Sequence, residues 1–115
     1  MAELSMTGCG YVQQTVSLIT REMQQSAVSC QLVGSTSRLC ADTQIHVLVF
    51  EKYYWRTSNR ASLTVVVSGE DGNVCVDAIS SGGGRGVFFR FSWGAETSFT
   101  GAIERILLDC GFTRA

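Results

Sequence analysis

Three runs in the middle of the chain carry apolar residues at every second position, and together they constrain the fold more than any other feature. Ile45, Val47 and Val49 form the first, Leu63, Val65 and Val67 the second, and Val74, Val76 and Ala78 the third. A period of two lines such residues along one side of an extended strand. Between the second and third runs lies Gly69-Glu70-Asp71-Gly72-Asn73, a turn in which Gly and Asn can take positive φ. Strands this close in sequence favour an antiparallel meander, because parallel neighbours need a long crossover.

The flanks complete the pattern. Leu4 and Met6 alternate with polar neighbours before Gly8 and predict a short opening strand. Val12, Val16, Ile19 and Met23 then fall on one helical stripe, with Gln13, Gln14, Thr20, Arg21, Gln24 and Gln25 around it, which predicts a helix from about Gly10 to Gln25. Val28, Cys30 and Leu32 mark a half-buried strand, and Gly34 to Asp42 reads as polar and irregular. The long strand runs from about Thr43 to Trp55. Beyond the meander, Val87, Phe89 and Phe91 predict a last strand after Gly82-Gly83-Gly84-Arg85-Gly86. Phe99, Ile103, Ile106 and Cys110 then form a second helical stripe, widened by Ala102 and Leu107 and stopped by Gly111. The expected order is β-α-β-β-β-β-β-α. This is an α+β fold, an antiparallel meander sheet with two helices packed on one face, in a single domain over residues 1–115.

Two helices cover one side of such a sheet, so the residues of the other side matter. With Ile45, Val47 and Val49 assigned to the helices, the second face carries His46, Leu48, Phe50, Lys52, Tyr54, Val66, Cys75, Asp77 and Ile79. A solvated face is ordinarily more polar. Such a face is expected either to be buried by a second copy or to line a ligand cleft; Leu48, Phe50, Tyr54 and Val66 are the candidate interface residues, and a homodimer through this second sheet face is the expected partner arrangement.

Composition supports that expectation and excludes others. Apolar residues make up 45% of the chain and charged residues 17%, where about a quarter charged is typical of a globular domain. The net charge of −1 supplies no field for nucleic acid or anionic membranes, and no apolar run is long enough to span a bilayer. Residues Met1 to Gly10 have neither the basic nor the apolar region of a secretory signal. The five cysteines are irregularly spaced, with no C-x-x-C pair, and His46 stands alone, so neither a disulfide framework nor a zinc site is expected. Reduced thiols in a cytoplasmic setting follow.

Two segments carry a family likeness. One is Val49-Phe50-Glu51-Lys52-Tyr53-Tyr54 with Asn59-Arg60-Ala61-Ser62-Leu63; the other is Ala78-Ile79-Ser80-Ser81-Gly82-Gly83 with Phe88-Phe89, Gly94 and Glu96. Over roughly residues 27 to 108 the chain resembles the bacterial family of domains of unknown function number 6054. That resemblance implies a bacterial setting and a compact α+β fold, with no activity, cofactor or catalytic residue attached.

Three candidate sites stand apart from the core pattern. The loop Ser80-Ser81-Gly82-Gly83-Gly84-Arg85-Gly86 can wrap a small anion with its N–H groups, but it lacks the Lys-Ser/Thr end of a P-loop. With the aromatic strand end it gives Tyr54, Arg60, Ser81, Gly83 and Arg85 as candidate ligand-binding residues. Lys52-Tyr53-Tyr54-Trp55-Arg56 combines aromatics with Arg, yet alternation sends Tyr53 and Tyr54 to opposite sides, so it builds no stacking platform for nucleic acid. His46, Cys75 and Asp77 share the assigned second face, but no motif joins them into a nucleophilic site. No catalytic or metal-ligating set is evident and no cofactor is implied. A non-enzymatic binding or interaction module that forms a homo-oligomer comes first, a small-molecule or anion binder second, and an enzyme last.

Overall fold

The computed structural model describes residues 2–26, 30–54, 59–70, 72–82 and 100–115. Strand β1 spans Ala2–Cys9 and helix α1 spans Val12–Ser26. Strands β2 (Cys30–Cys40), β3 (Thr43–Tyr54), β4 (Asn59–Glu70) and β5 (Asn73–Gly82) follow as an antiparallel meander. A second helix, α2, is described over residues 100–109, and β6 is the short Thr113–Arg114. The sheet order is β2-β3-β4-β5-β1-β6. The opening strand thus returns to pair antiparallel with the last strand of the meander, and β6 pairs with its outer side at Met6 and Thr7.

The α+β class and the antiparallel sheet stand as expected. The expected strand at Val87, Phe89 and Phe91 lies outside the described residues. Three element boundaries change. The opening strand is eight residues long rather than a short pair. The stretch from Gly34 to Cys40 is not irregular but the outer half of β2, continued past a bulge between Leu32 and Gly34. It hid because it is exposed throughout, so no side of it needs apolar residues. Cys110 leaves the helical stripe: it is exposed, in the turn after α2.

Each helix buries the stripe its sequence marks. Val12, Ile19 and Met23 of α1 and Ile103 and Leu107 of α2 are buried, with Val16, Ala102 and Ile106 packed beside them. Below them lie Leu4, Met6, Leu48, Phe50, Ala61, Leu63, Val65, Val67, Val74, Val76 and Ala78. Burying a large aliphatic or aromatic side chain of this kind contributes about 1.5–3 kcal/mol, so this single layer is the chief source of stability.

The C-terminal end closes the core. The amide of Phe112 donates to the Leu107 carbonyl at 2.9 Å and that of Gly111 to Leu108 at 3.0 Å. Gly111 has φ of 90°, the left-handed conformation that this helix stop needs and that glycine adopts without a Cβ clash. The turn throws Phe112 back onto β1, where its ring lies against Gly8 so closely that a Cβ there would stand 2.7 Å from it. Ala115 then donates its amide to the Ser5 carbonyl at 3.0 Å.

Register decides which side of β3 faces the helices. Leu63, Val65 and Val67 are buried, and their partners on β3 are Phe50, Leu48 and His46. Directly paired residues share a face, so Leu48 and Phe50 lie under the helices, at 2% and 0% exposure. The assignment of Ile45, Val47 and Val49 to the helix side is therefore corrected. Both sides of β3 are apolar, and local alternation could not choose between them. The larger pair, Leu48 and Phe50, fills the core.

Candidate binding face

With the register fixed, the side of the sheet that no described helix covers can be read row by row. Across β2, β3, β4 and β5, one row is Thr36, Val47, Val66 and Asp77, extended to Ser5 on β1. The next is Gly34, Val49, Thr64 and Ile79, ending at Glu3. On the other side lie Arg38, Ile45, Ser68, Cys75 and Thr7. The centre is thus a patch of Ile45, Val47, Val49, Val66 and Ile79, interleaved with threonine and serine. Ile79 is 47% exposed and the valines are half-buried by their neighbours in the sheet.

Charged groups rim this patch and are partly tied down. Asp77 accepts a hydrogen bond from Ser5 Oγ at 2.7 Å. Arg60 donates to Glu51 at 3.3 Å and lies over the Tyr53 ring, 5.8 Å from its centroid. Glu70 accepts from Thr43 Oγ1 at 3.1 Å. Ser62 and Ser81 hydroxyls approach to 3.3 Å across β4 and β5.

The candidate residues fall as follows. Val66 is on the open face as expected, and so are Cys75, Asp77 and Ile79. Leu48 and Phe50 are in the core and cannot touch a partner there. Tyr54 ends β3 as the backbone partner of Asn59. Arg60 and Ser81 are on the described strands, whereas Gly83 and Arg85, with the rest of the glycine loop, lie outside the described residues. His46 pairs with Val67 on the helix side, while Cys75 and Asp77 point to the open side. The sheet separates that trio. Ile45, Val47 and Val49 are the members of the face that sequence reasoning misplaced. No local signal could have corrected the assignment, because both sides of β3 are apolar and the register with β4 decides.

The remaining chemistry is spread out. The described cysteines carry no disulfide: Cys30 is buried, and Cys9, Cys40, Cys75 and Cys110 are exposed. Burial pushes the Cys30 thiol pKa up, against the lowering effect of the Lys52 ammonium paired across from it. Arg114 Nε donates to Glu104 at 2.7 Å and holds that exposed carboxyl below its ordinary value. Among the described residues, no cluster of three His, Cys, Asp or Glu could hold a metal, and no helix is long and apolar enough to cross a membrane. Among the described residues, hollows lie off the open face. A cleft of about 360 Å³ sits where the α1 start meets the β2–β3 and β4–β5 turns, lined among others by Tyr11, Gln13, Asp42, Gln44 and Glu70. A groove of about 560 Å³ runs between α1 and α2, over Leu18, Ala102 and Ile106.

The sequence signature of the family of unknown function DUF6054 matches residues 1–110. The chain belongs to that family. The match takes in the two described helices and β1 to β5. No curated protein sequence matches the chain.

Proposed function

We propose that this chain is a non-enzymatic interaction module that associates with a second copy of itself through the bare face of its sheet. The observation that carries this reading is the contiguous patch of Ile45, Val47, Val49, Val66 and Ile79 on a face that neither described helix covers. Sheets stack about 10 Å apart by interdigitating side chains of this kind. Five strands at about 4.8 Å spacing and about eight residues of length offer on the order of 600 Å² per protomer. That approaches the roughly 800 Å² per partner of a standard interface. The exposed, unpaired thiols suit a reducing bacterial cytoplasm, which belongs to the same reading. The alternative, a small-anion binder, rests on the glycine loop outside the described residues, and the one described arginine it would use, Arg60, is engaged by Glu51.

Light scattering on the reduced protein over a range of concentrations tests the face. The wild-type chain is expected at an even multiple of 12.5 kDa. Val66→Lys puts an ammonium in the middle of the patch, beside its cross-strand partner Asp77, and is expected to halve the wild-type mass. An unchanged mass in V66K, with a cooperative unfolding transition, would sink the reading.

A further inference from the structure

Strands β1 and β5 each bring an exposed thiol to one corner of the bare face. Cys9 and Cys75 are both exposed. Thr7 is the cross-strand partner of Cys75, and Asn73 is that of Cys9. Paired residues share a face, and so do residues two apart on a strand. The two cysteines therefore stand at opposite corners of one four-residue square. Ser5 turns its carbonyl away from β5, toward the Ala115 amide at 3.0 Å. Thr7 and Cys9 have the same parity, so they face β5 in non-hydrogen-bonded pairs, where side chains come closest.

Spacing decides what two such thiols can do together. Diagonal neighbours have Cα atoms about 7–8 Å apart, whereas a disulfide prefers about 5.5–6 Å. The excess of about 2 Å is close to what a metal bridge adds: two thiolate bonds of about 2.3 Å in line set the sulfurs about 4.6 Å apart, against about 2.05 Å when they bond directly. We infer that Cys9 and Cys75 form a two-thiolate site for a soft monovalent cation of the copper(I) class. Two sulfurs select a soft ion. Zinc needs four donors, and among the described residues no third His, Cys, Asp or Glu completes a cluster. His46 lies on the helix side of the sheet. The square's other corners, Thr7 and Asn73, and the β4 neighbour Ser68 carry hard oxygen and amide groups that do not compete for such an ion. Both thiols lose their protons as copper enters, so one Cu⁺ replaces two H⁺ with no change of oxidation state, and binding strengthens as pH rises. The site belongs to one chain and does not depend on association through the face.

Titration of the reduced chain with copper(I) against the chelator bicinchoninate, without oxygen, tests the site. The wild-type chain is expected to withdraw one equivalent. Cys9→Ser and Cys75→Ser change exposed positions, so each keeps the fold, checked by circular dichroism, and each is expected to lose that equivalent. Cys40→Ser and Cys110→Ser change exposed thiols elsewhere and are expected to keep it. X-ray absorption of the bound copper is expected to show two sulfur neighbours. A wild-type chain that withdraws no copper, a loss in C40S or C110S equal to that in C9S, or three or more sulfur neighbours would overturn the site. V66K leaves both thiols in place and is expected to bind copper as the wild type does. Loss of copper in V66K would mean that two copies build the site across the face, and the assignment to one chain would fall.

Discussion

The two faces of the sheet are built from the same strands, residue by alternate residue, yet they differ in kind. Beneath the helices stand Phe50, Leu48, Leu63, Met6 and their neighbours, large side chains with almost no exposure. On the other face stand Ile45, Val47, Val49, Val66 and Ile79 among Thr36, Thr64, Ser62 and Ser68. Burial, more than residue type, divides them, since the covered face also holds the β-branched Val65, Val67, Val74 and Val76 with almost no exposure. The lesson is a division of labour among the described residues: one face holds the monomer together, and on the other no described helix packs.

The sharpest way to break this comparison is to truncate neighbouring positions of β3 that point opposite ways. Phe50→Ala empties the centre of the core and is expected to cost about 3–5 kcal/mol, a large share of the roughly 5–15 kcal/mol available to a domain. Val47→Ala removes two methyls from the bare face and is expected to cost under about 1 kcal/mol in the monomer. Urea unfolding at sub-micromolar concentration reads both. Equal losses would mean that the bare face is covered within the chain itself, and the division of labour would be wrong.

How far the sequence reveals this division depends on the range of the interaction. Both helices were legible because a stripe such as Val12, Val16, Ile19 and Met23 is read within one segment. The meander was legible because its alternations and turns are local. The side of β3 was not, since Ile45-Val47-Val49 and Leu48-Phe50 are equally apolar. Pairing with β4, a long-range fact, makes the choice. The outer half of β2 was illegible because an exposed edge carries no burial pattern. β6 escaped because its two residues are held by β1 and by the turn at Gly111, not by any propensity of their own. The candidate face was legible as an idea, an apolar side away from the helices, but Ile45, Val47 and Val49, three of the five residues of its patch, were assigned to the wrong surface.

A smaller effect sharpens the account of the covered face at its border. The Phe112 ring lies on Gly8, where a Cβ would come within 2.7–2.9 Å of three ring atoms. Gly8→Ala therefore has to push the ring and the turn behind it away from β1. Overpacking of this sort costs about 1–3 kcal/mol. The expected accompaniment is faster hydrogen exchange at the Phe112 and Ala115 amides, which are bonded at 2.9 and 3.0 Å. A stability loss with unchanged exchange there would place the strain elsewhere and detach the C-terminal turn from the core.

The smallest expected effect compares thiols on the two faces. Cys30 is buried under the helix side of β2, whereas Cys75 stands exposed on the bare face. Burial raises the Cys30 pKa in the folded chain above its ordinary value, outweighing Lys52. The folded state therefore holds that proton more tightly than the unfolded state. The sign of the linkage follows: this contribution is fully present below the ordinary thiol pKa and is lost as pH rises from there through the raised folded value. The wild-type chain is expected to lose stability across that alkaline window, and Cys30→Ala to lose less across the same range. Unfolding midpoints measured on either side of the window distinguish them. If C30A kept the full wild-type pH dependence, the covered face would not be what holds that proton.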